Sequence, residues 1–357
     1  MTPEEQQKIK INLQEIAAIF YKNTPVEKLQ DFESVELSVR EHLIETVAPE
    51  ISGFFFNSAG GKGSGRNRTI KSCVGEITLS SKQAQRLGVK KGSRLSPNLE
   101  KCCLLLVGNE SFANAERDLK MLTGIYVPHS TQHRLLERYK LAELETTEKV
   151  EALSIDGGNV RLRTHEGEES VWRNYKAVKI HGQVGAAFFQ NNADLVAWVN
   201  SQLPSEAITC LGDGHDGVWN LFNQIGTIEQ RREVLDWYHL IENLHRVGGS
   251  LKRLRRAQNK LWHGLTLEAI AEFAGVASKG SEKFQKYLRK HQSRIPDYQN
   301  YQQQGIDIGS GAVESLIKQI GARIKIVGAQ WNEKNVPQIL RLRCAYLNNN
   351  IKLSISA

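Results

Sequence analysis

Between residues 5 and 50, apolar side chains return at helical intervals among charges: Ile9, Ile11, Leu13, Ile16, Ile19 and Phe20, then Leu29, Val35, Leu37, Val39, Leu43 and Ile44. This spacing predicts an amphipathic helical lead-in. It ends in Ala59-Gly-Gly-Lys-Gly-Ser-Gly-Arg-Asn-Arg68, whose glycines and three positive charges suit a solvated linker or a basic loop lying along phosphates. Residues 69–79 alternate as a short strand, and Ser96-Pro97 opens a helix through the apolar run Cys102–Val107. Ser111 caps another helix, with Phe112, Ala115, Leu119 and Leu122 as its stripe and Gly124 as its stop. A further helix begins near Ser130 and is expected to expose Gln132, His133, Arg134, Arg138 and Lys140. Two short helices joined through glycine, the second basic, fit a helix-turn-helix as well as an αα-hairpin that binds nothing.

From Val150 the period changes to two. Ala152–Asp156 reads as a strand, Gly157-Gly-Asn159 as a hairpin turn and Val160–Thr164 as the returning strand, with a third alternating stretch over Val171–Val184. A helix through Ala193, Leu195, Val196 and Val199 precedes the apolar strand Ile208–Asp213. Strand, hairpin, strand, helix, strand predicts an α/β fold with a mixed sheet and helices packed on it. Trp219 to Lys290 reads as almost entirely helical. Asp307-Ile-Gly-Ser-Gly-Ala-Val-Glu314 is a tight turn entering a helix capped by Ser310.

With 357 residues and 40% hydrophobic content the chain can bury two or three cores, and disorder throughout is excluded. Its longest apolar run, Cys102–Val107, is far below the ~20 residues of a membrane span, and the polar start lacks the pattern of a secretory signal, so a cytoplasmic protein is expected. Five cysteines without a CxxC pair read as reduced thiols rather than a disulfide framework or a zinc ribbon. The net charge of +8 is a weak pointer to a polyanion until its distribution is seen: Arg246, Lys252, Arg253, Arg255, Arg256 and Lys260 face a single acid, Glu242, over residues 241–260.

Three carboxylates stand out. Asp156 and Asp213 each end a strand immediately before glycine, a placement that serves a turn or an unobstructed metal site. Glu314 lies in the first turn of a helix, where the dipole favours its ionised form, and Lys318 and Lys325 continue its face. Three acids on separate elements could hold two Mg²⁺ or Mn²⁺ and act on a phosphodiester, with the lysines holding phosphates. Asp216 rivals Asp213 because it too precedes glycine; Asp213 is preferred because it directly ends the strand.

The ordered motifs Ser154-Ile-Asp156-Gly-Gly, Leu211-Gly-Asp213-Gly-His-Asp-Gly-Val-Trp219, Asp236-Trp-Tyr-His239 and Gly309-Ser-Gly-Ala-Val-Glu314-Ser resemble those of bacterial insertion-sequence transposases. The group is a DDE type similar to the Mutator-like superfamily and common in cyanobacteria, and the resemblance extends over essentially the whole chain, to Leu342-Arg-Cys-Ala-Tyr-Leu347. It implies an RNase H-like mixed sheet with an all-helical insertion, behind a mostly helical N-terminal region with a helix-turn-helix. The expected division is 1–58 helical, 59–68 linker, 69–149 DNA-binding and 150–357 catalytic, with the insertion at about 220–304.

The resemblance also implies site residues. Asp156, Asp213 and Glu314 become the metal-holding acids, with Asp236 and His239 as helpers beside them. Arg134, Arg138, Lys252, Arg253, Arg255, Arg256, Lys318 and Lys325 are the expected DNA contacts. The implied partners are terminal inverted repeats and target DNA, handled by a homo-oligomer, with no membrane. The implied chemistry is cleavage and strand transfer. An inactive DNA-binding remnant and an RNase H-like nuclease without strand transfer are the alternatives. The chain departs from the group in lacking a Cys-x-x-Cys segment around residues 70–90.

Overall fold

The computed structural model describes residues 1–146, 148–203 and 206–349; residues 350–357 of the expected catalytic domain lie outside them. The chain divides into two compact units between Leu135 and Leu136, inside the helix His129–Arg138 rather than near residue 149.

In the first unit the lead-in is helical but interrupted. A capping box of Thr2 and Glu5 starts the helix Pro3–Asn23, and Phe32–His42 and Ala48–Gly60 follow. The expected single strand over 69–79 is instead an antiparallel hairpin of β1 (Asn67–Ser72) and β2 (Gly75–Ser80). Alternation alone does not reveal a two-residue turn such as Cys73-Val74. Ile70, Ile77, Leu79, Ala84 and Val89 form a small core there. The Gly-rich segment is not a free linker: Ser64 N–H donates to Ser80 Oγ at 3.1 Å, and Gln83 Nε2 donates to the Gly61 carbonyl at 2.9 Å. Ser96 and Ser111 cap their helices, and Gly124 ends the second in the left-handed region. Gln132 corrects the reading of the next helix, because it is fully buried and donates to the Val127 carbonyl; Lys140 lies beyond the helix end.

The second unit is mixed α/β. Its five-stranded sheet has the order β5-β4-β3-β6-β7, with β3 Ala152–Arg161, β4 Trp172–Ile180, β5 Gly185–Phe189, β6 Ile208–Gly212 and β7 Arg231–Leu235. Strands β3, β4 and β5 pair antiparallel, whereas β3, β6 and β7 run parallel. Gly157 and Gly158 do not form the expected turn, and Asp156 sits within β3 rather than at its end. A Cβ on Gly158 would stand 2.3 Å from the Tyr175 hydroxyl. Glycine here admits a cross-strand ring and leaves the strand continuous.

β7 also corrects the reading of 219–290 as almost all helix. Only Val234 and Leu235 of this five-residue strand are buried, and its polar start, Arg231-Arg-Glu, hides the pattern. The helical block therefore begins after β7, at Trp237, and Trp262 and Tyr298 pack on Trp237 at ring distances of 4.7 and 4.9 Å. The helix Gly311–Ile324 packs on β3 and β4, and Val336–Leu347 packs on β5. Among the described residues no helix is long and apolar enough to cross a membrane.

Candidate active site

The parallel strands align three aspartates. Ser154, Leu211 and Val234 are register partners across β3, β6 and β7, and two residues beyond them lie Asp156, Asp213 and Asp236. Adjacent strands lie about 4.8 Å apart, so the acids occupy one row at neighbouring positions. Glu314 enters from the first turn of its helix, with its side chain 34% exposed.

Asp236 is fully buried and caps the helix Trp237–Arg246: its Oδ1 accepts the His239 N–H at 2.7 Å, and its Oδ2 accepts the Ser310 N–H. Burial alone would raise its pKa, but the His239 side chain first, and then these amides, outweigh it and hold the carboxyl below its ordinary range. Ser310 is consequently not the expected side-chain cap of the Glu314 helix. Its own hydroxyl makes no capping bond, and its amide is what Asp236 takes.

His239 Nδ1 lies 3.3 Å from Asp236 Oδ1 and 3.6 Å from Glu314 Oε1. The Asp236 contact chiefly, with the charges of Glu314 and Asp213 added, raises its pKa to about 9. The ring is therefore an imidazolium at neutral pH. Asp156 moves the other way from a free carboxylate. Burial raises its pKa, and the neighbouring Asp213 adds to the rise, against the Gly157 N–H donated at 2.6 Å and the charges of Lys176 and His239. Desolvated carboxylates crowded in this way are stabilised by a bound cation.

Comparison with protein-family models and with curated proteins finds no match.

The donor atoms of Asp236, His239 and Glu314 all lie within 4.8 Å of one another. This trio shares only Glu314 with the expected metal set. Asp236 has both oxygens engaged by backbone amides, and among the described residues the expected set Asp156, Asp213 and Glu314 is not itself brought together as such a group. An all-oxygen set suits Mg²⁺ or Mn²⁺. Asp216 is in an ion pair with Lys290, which holds its pKa below the ordinary range, and it lies outside the strand row that contains Asp213. Asp213 Oδ1 accepts the His215 N–H at 2.9 Å, and its carbonyl accepts the Tyr287 hydroxyl at 3.3 Å.

The basic residues separate into two kinds. Arg256 and Lys260 converge on Glu272, at 2.7 and 2.9 Å, and drive its pKa down to about 2. They are partners of an acid first. On the same helix, Leu251–Trp262, Lys252 and Arg255 are exposed and Arg253 is half-buried. Lys318 is exposed one turn after Glu314, whereas Lys325 is exposed at the C-cap, just past the helix. Arg134 and Arg138 are exposed on their helix, with Arg134 3.3 Å from Thr131 Oγ1.

Sequence reasoning missed that Asp236 belongs to the carboxylate row. The available signal was the short stretch Val234-Leu235-Asp236, which repeats the strand-then-aspartate pattern of Leu211-Gly-Asp213.

Proposed function

We propose that the chain is a DDE transposase, acting on the ends of an insertion sequence by metal-dependent cleavage and strand transfer of DNA. The observation that carries this reading is the convergence of acids from a parallel strand row and a helix start beside His239. On this reading the mixed sheet is an RNase H-like core with a helical insertion. The helices Phe112–Thr123 and His129–Arg138 act as a helix-turn-helix directing Arg134 and Arg138 to the major groove.

Two divalent cations held by Asp156, Asp213 and Glu314 would supply Lewis acidity for in-line displacement at phosphorus. Asp236 holds His239 and the Ser310 turn in place. His239 offers a proton and a positive charge beside the reacting phosphate. Lys318, Lys252 and Arg255 bind the backbone of the DNA, and two ends are handled by a homo-oligomer. No covalent protein intermediate is required.

The test is Mg²⁺- or Mn²⁺-dependent cleavage of a duplex carrying the element's end. Asp156→Asn should lower it by a hundredfold or more, and full activity in the variant would remove the metal-site assignment. Pre-cut ends with free 3′ hydroxyls should be joined to target DNA. Cleavage without joining would instead identify a nuclease.

A further inference from the structure

Outside the carboxylate group, three polar side chains are joined end to end. Ser154 Oγ lies 2.9 Å from His181 Nε2, and His181 Nδ1 lies 2.7 Å from Asp307 Oδ2. Serine, histidine and aspartate in this order are also the parts of a nucleophilic triad. Burial excludes that role, because Ser154 has no exposure inside β3 and no substrate can reach its hydroxyl. The His181 side chain is 13% exposed and that of Asp307 is 50% exposed, so the chain runs from the sheet interior out to a turn.

Each end lies close in sequence to a metal-site acid. Ser154 lies two residues before Asp156 on β3, and His181 is fastened to the same strand by its N–H, donated to the Ala152 carbonyl at 3.0 Å. Asp307 opens the turn that delivers Glu314. Among the described residues, hydrogen bonds hold that turn at Asp307, by His181, at the Ile308 carbonyl, by the Trp237 N–H at 3.0 Å, and at the Ser310 N–H, by Asp236. The last two fasten it to the Asp236 end of the row. Of these three bonds the first is the one that leads to the Asp156 strand, which the Glu314 helix also meets by packing on β3. With Nδ1–H donating to Asp307 and Nε2 accepting from the Ser154 hydroxyl, one neutral tautomer satisfies the whole chain.

We infer that Ser154, His181 and Asp307 are positioning residues, which fix Glu314 relative to Asp156 and so set the affinity of the carboxylate site for a divalent cation. The inference rests on the reading of that site as metal-binding. Partners that orient metal ligands typically contribute 10–100-fold in affinity.

Calorimetric titration of the full chain with Mn²⁺ tests it. Asp307→Ala should bind Mn²⁺ at least tenfold more weakly than wild type. Asp307→Asn should restore most of the affinity, because its amide oxygen still accepts from Nδ1–H. Ser154→Ala cuts the chain at its other end and should also weaken binding. Thermal unfolding of each variant checks that the fold survives, and the imidazole ¹⁵N resonances of His181 should move in Asp307→Ala. Wild-type affinity in both alanine variants would overturn the inference. An Asn variant as weak as Ala would overturn it too, by making the charge of Asp307 the important quantity. A wild type that takes up no Mn²⁺ would overturn both this inference and the metal-site reading, whereas Mn²⁺ uptake by wild type that is lost in Asp156→Asn but unchanged in Asp307→Ala would overturn this inference alone.

Discussion

Two helices with comparable apolar patterns end in different circumstances. Pro3–Asn23 carries Ile9, Leu13, Ile16 and Phe20 at spacings of a helical face, yet not one of its residues is buried. Gly311–Ile324 carries Val313, Leu316, Ile320 and Ile324, and all four are buried where it packs on β3 and β4. Periodicity therefore reports that a helix has an apolar side. Whether that side is buried depends on its neighbours: the second helix lies against two strands, whereas in the first Phe20 meets the His42 ring at 4.4 Å and the stripe stays largely exposed.

The sharpest way to break this comparison is the same truncation on both helices. Ile320→Ala should cost about 2–5 kcal/mol in denaturant unfolding, whereas Ile16→Ala should stay within about 0.5 kcal/mol. Equal losses would mean that the first helix is covered in solution. A glycine pair extends the contrast. Gly158→Ala drives a methyl into Tyr175 and should cost about 1–3 kcal/mol, while Gly53→Ala, in the helix Ala48–Gly60 with nothing within 4 Å, should stabilise by about 0.5–1 kcal/mol.

The electrostatics of the carboxylate row give smaller effects with definite signs. His239 is raised from about 6.5 unfolded to about 9 folded, so its contribution is fully present below pH 6.5 and is lost as pH rises towards 9. In metal-free protein His239→Gln should remove that slope, on the order of 2 kcal/mol between pH 6 and pH 10. Asp156 is held above its ordinary pKa, so its charged form destabilises the fold at neutral pH. Asp156→Asn should therefore stabilise the metal-free chain, read as a higher denaturant midpoint at neutral pH. A loss of stability would show that the carboxylate holds the structure together rather than loading it for function.

Local signals carried a good part of the architecture. Ser96-Pro97, Ser111 and Gly124 mark helix ends because caps and left-handed stops are chosen by residues within one turn. The alternation in 171–184 and the apolar run at 208–213 mark real strands, whereas the hairpin expected at 152–164 is one continuous strand over 152–161. Readings failed where a residue's reason lay elsewhere in the chain. Gly158 answers to Tyr175, Gln132 to the Val127 carbonyl, and the amide of Ser310 to Asp236. β7 was illegible because two buried residues make no pattern of their own.

The same division holds for the candidate site. By itself the sequence determined the chemistry available: carboxylates beside glycine, an Asp-x-x-His pair, and a basic stretch with one acid. Those follow from residue type and near neighbours, whose reach is a few bonds. Only the tertiary structure decided that Asp236 joins the row of Asp156 and Asp213, that Asp216 and Arg256 are occupied by Lys290 and Glu272, and that Ser154 reaches Asp307 through His181. Strand register and long-range hydrogen bonds make those choices, because they join residues that periodicity along the chain cannot relate.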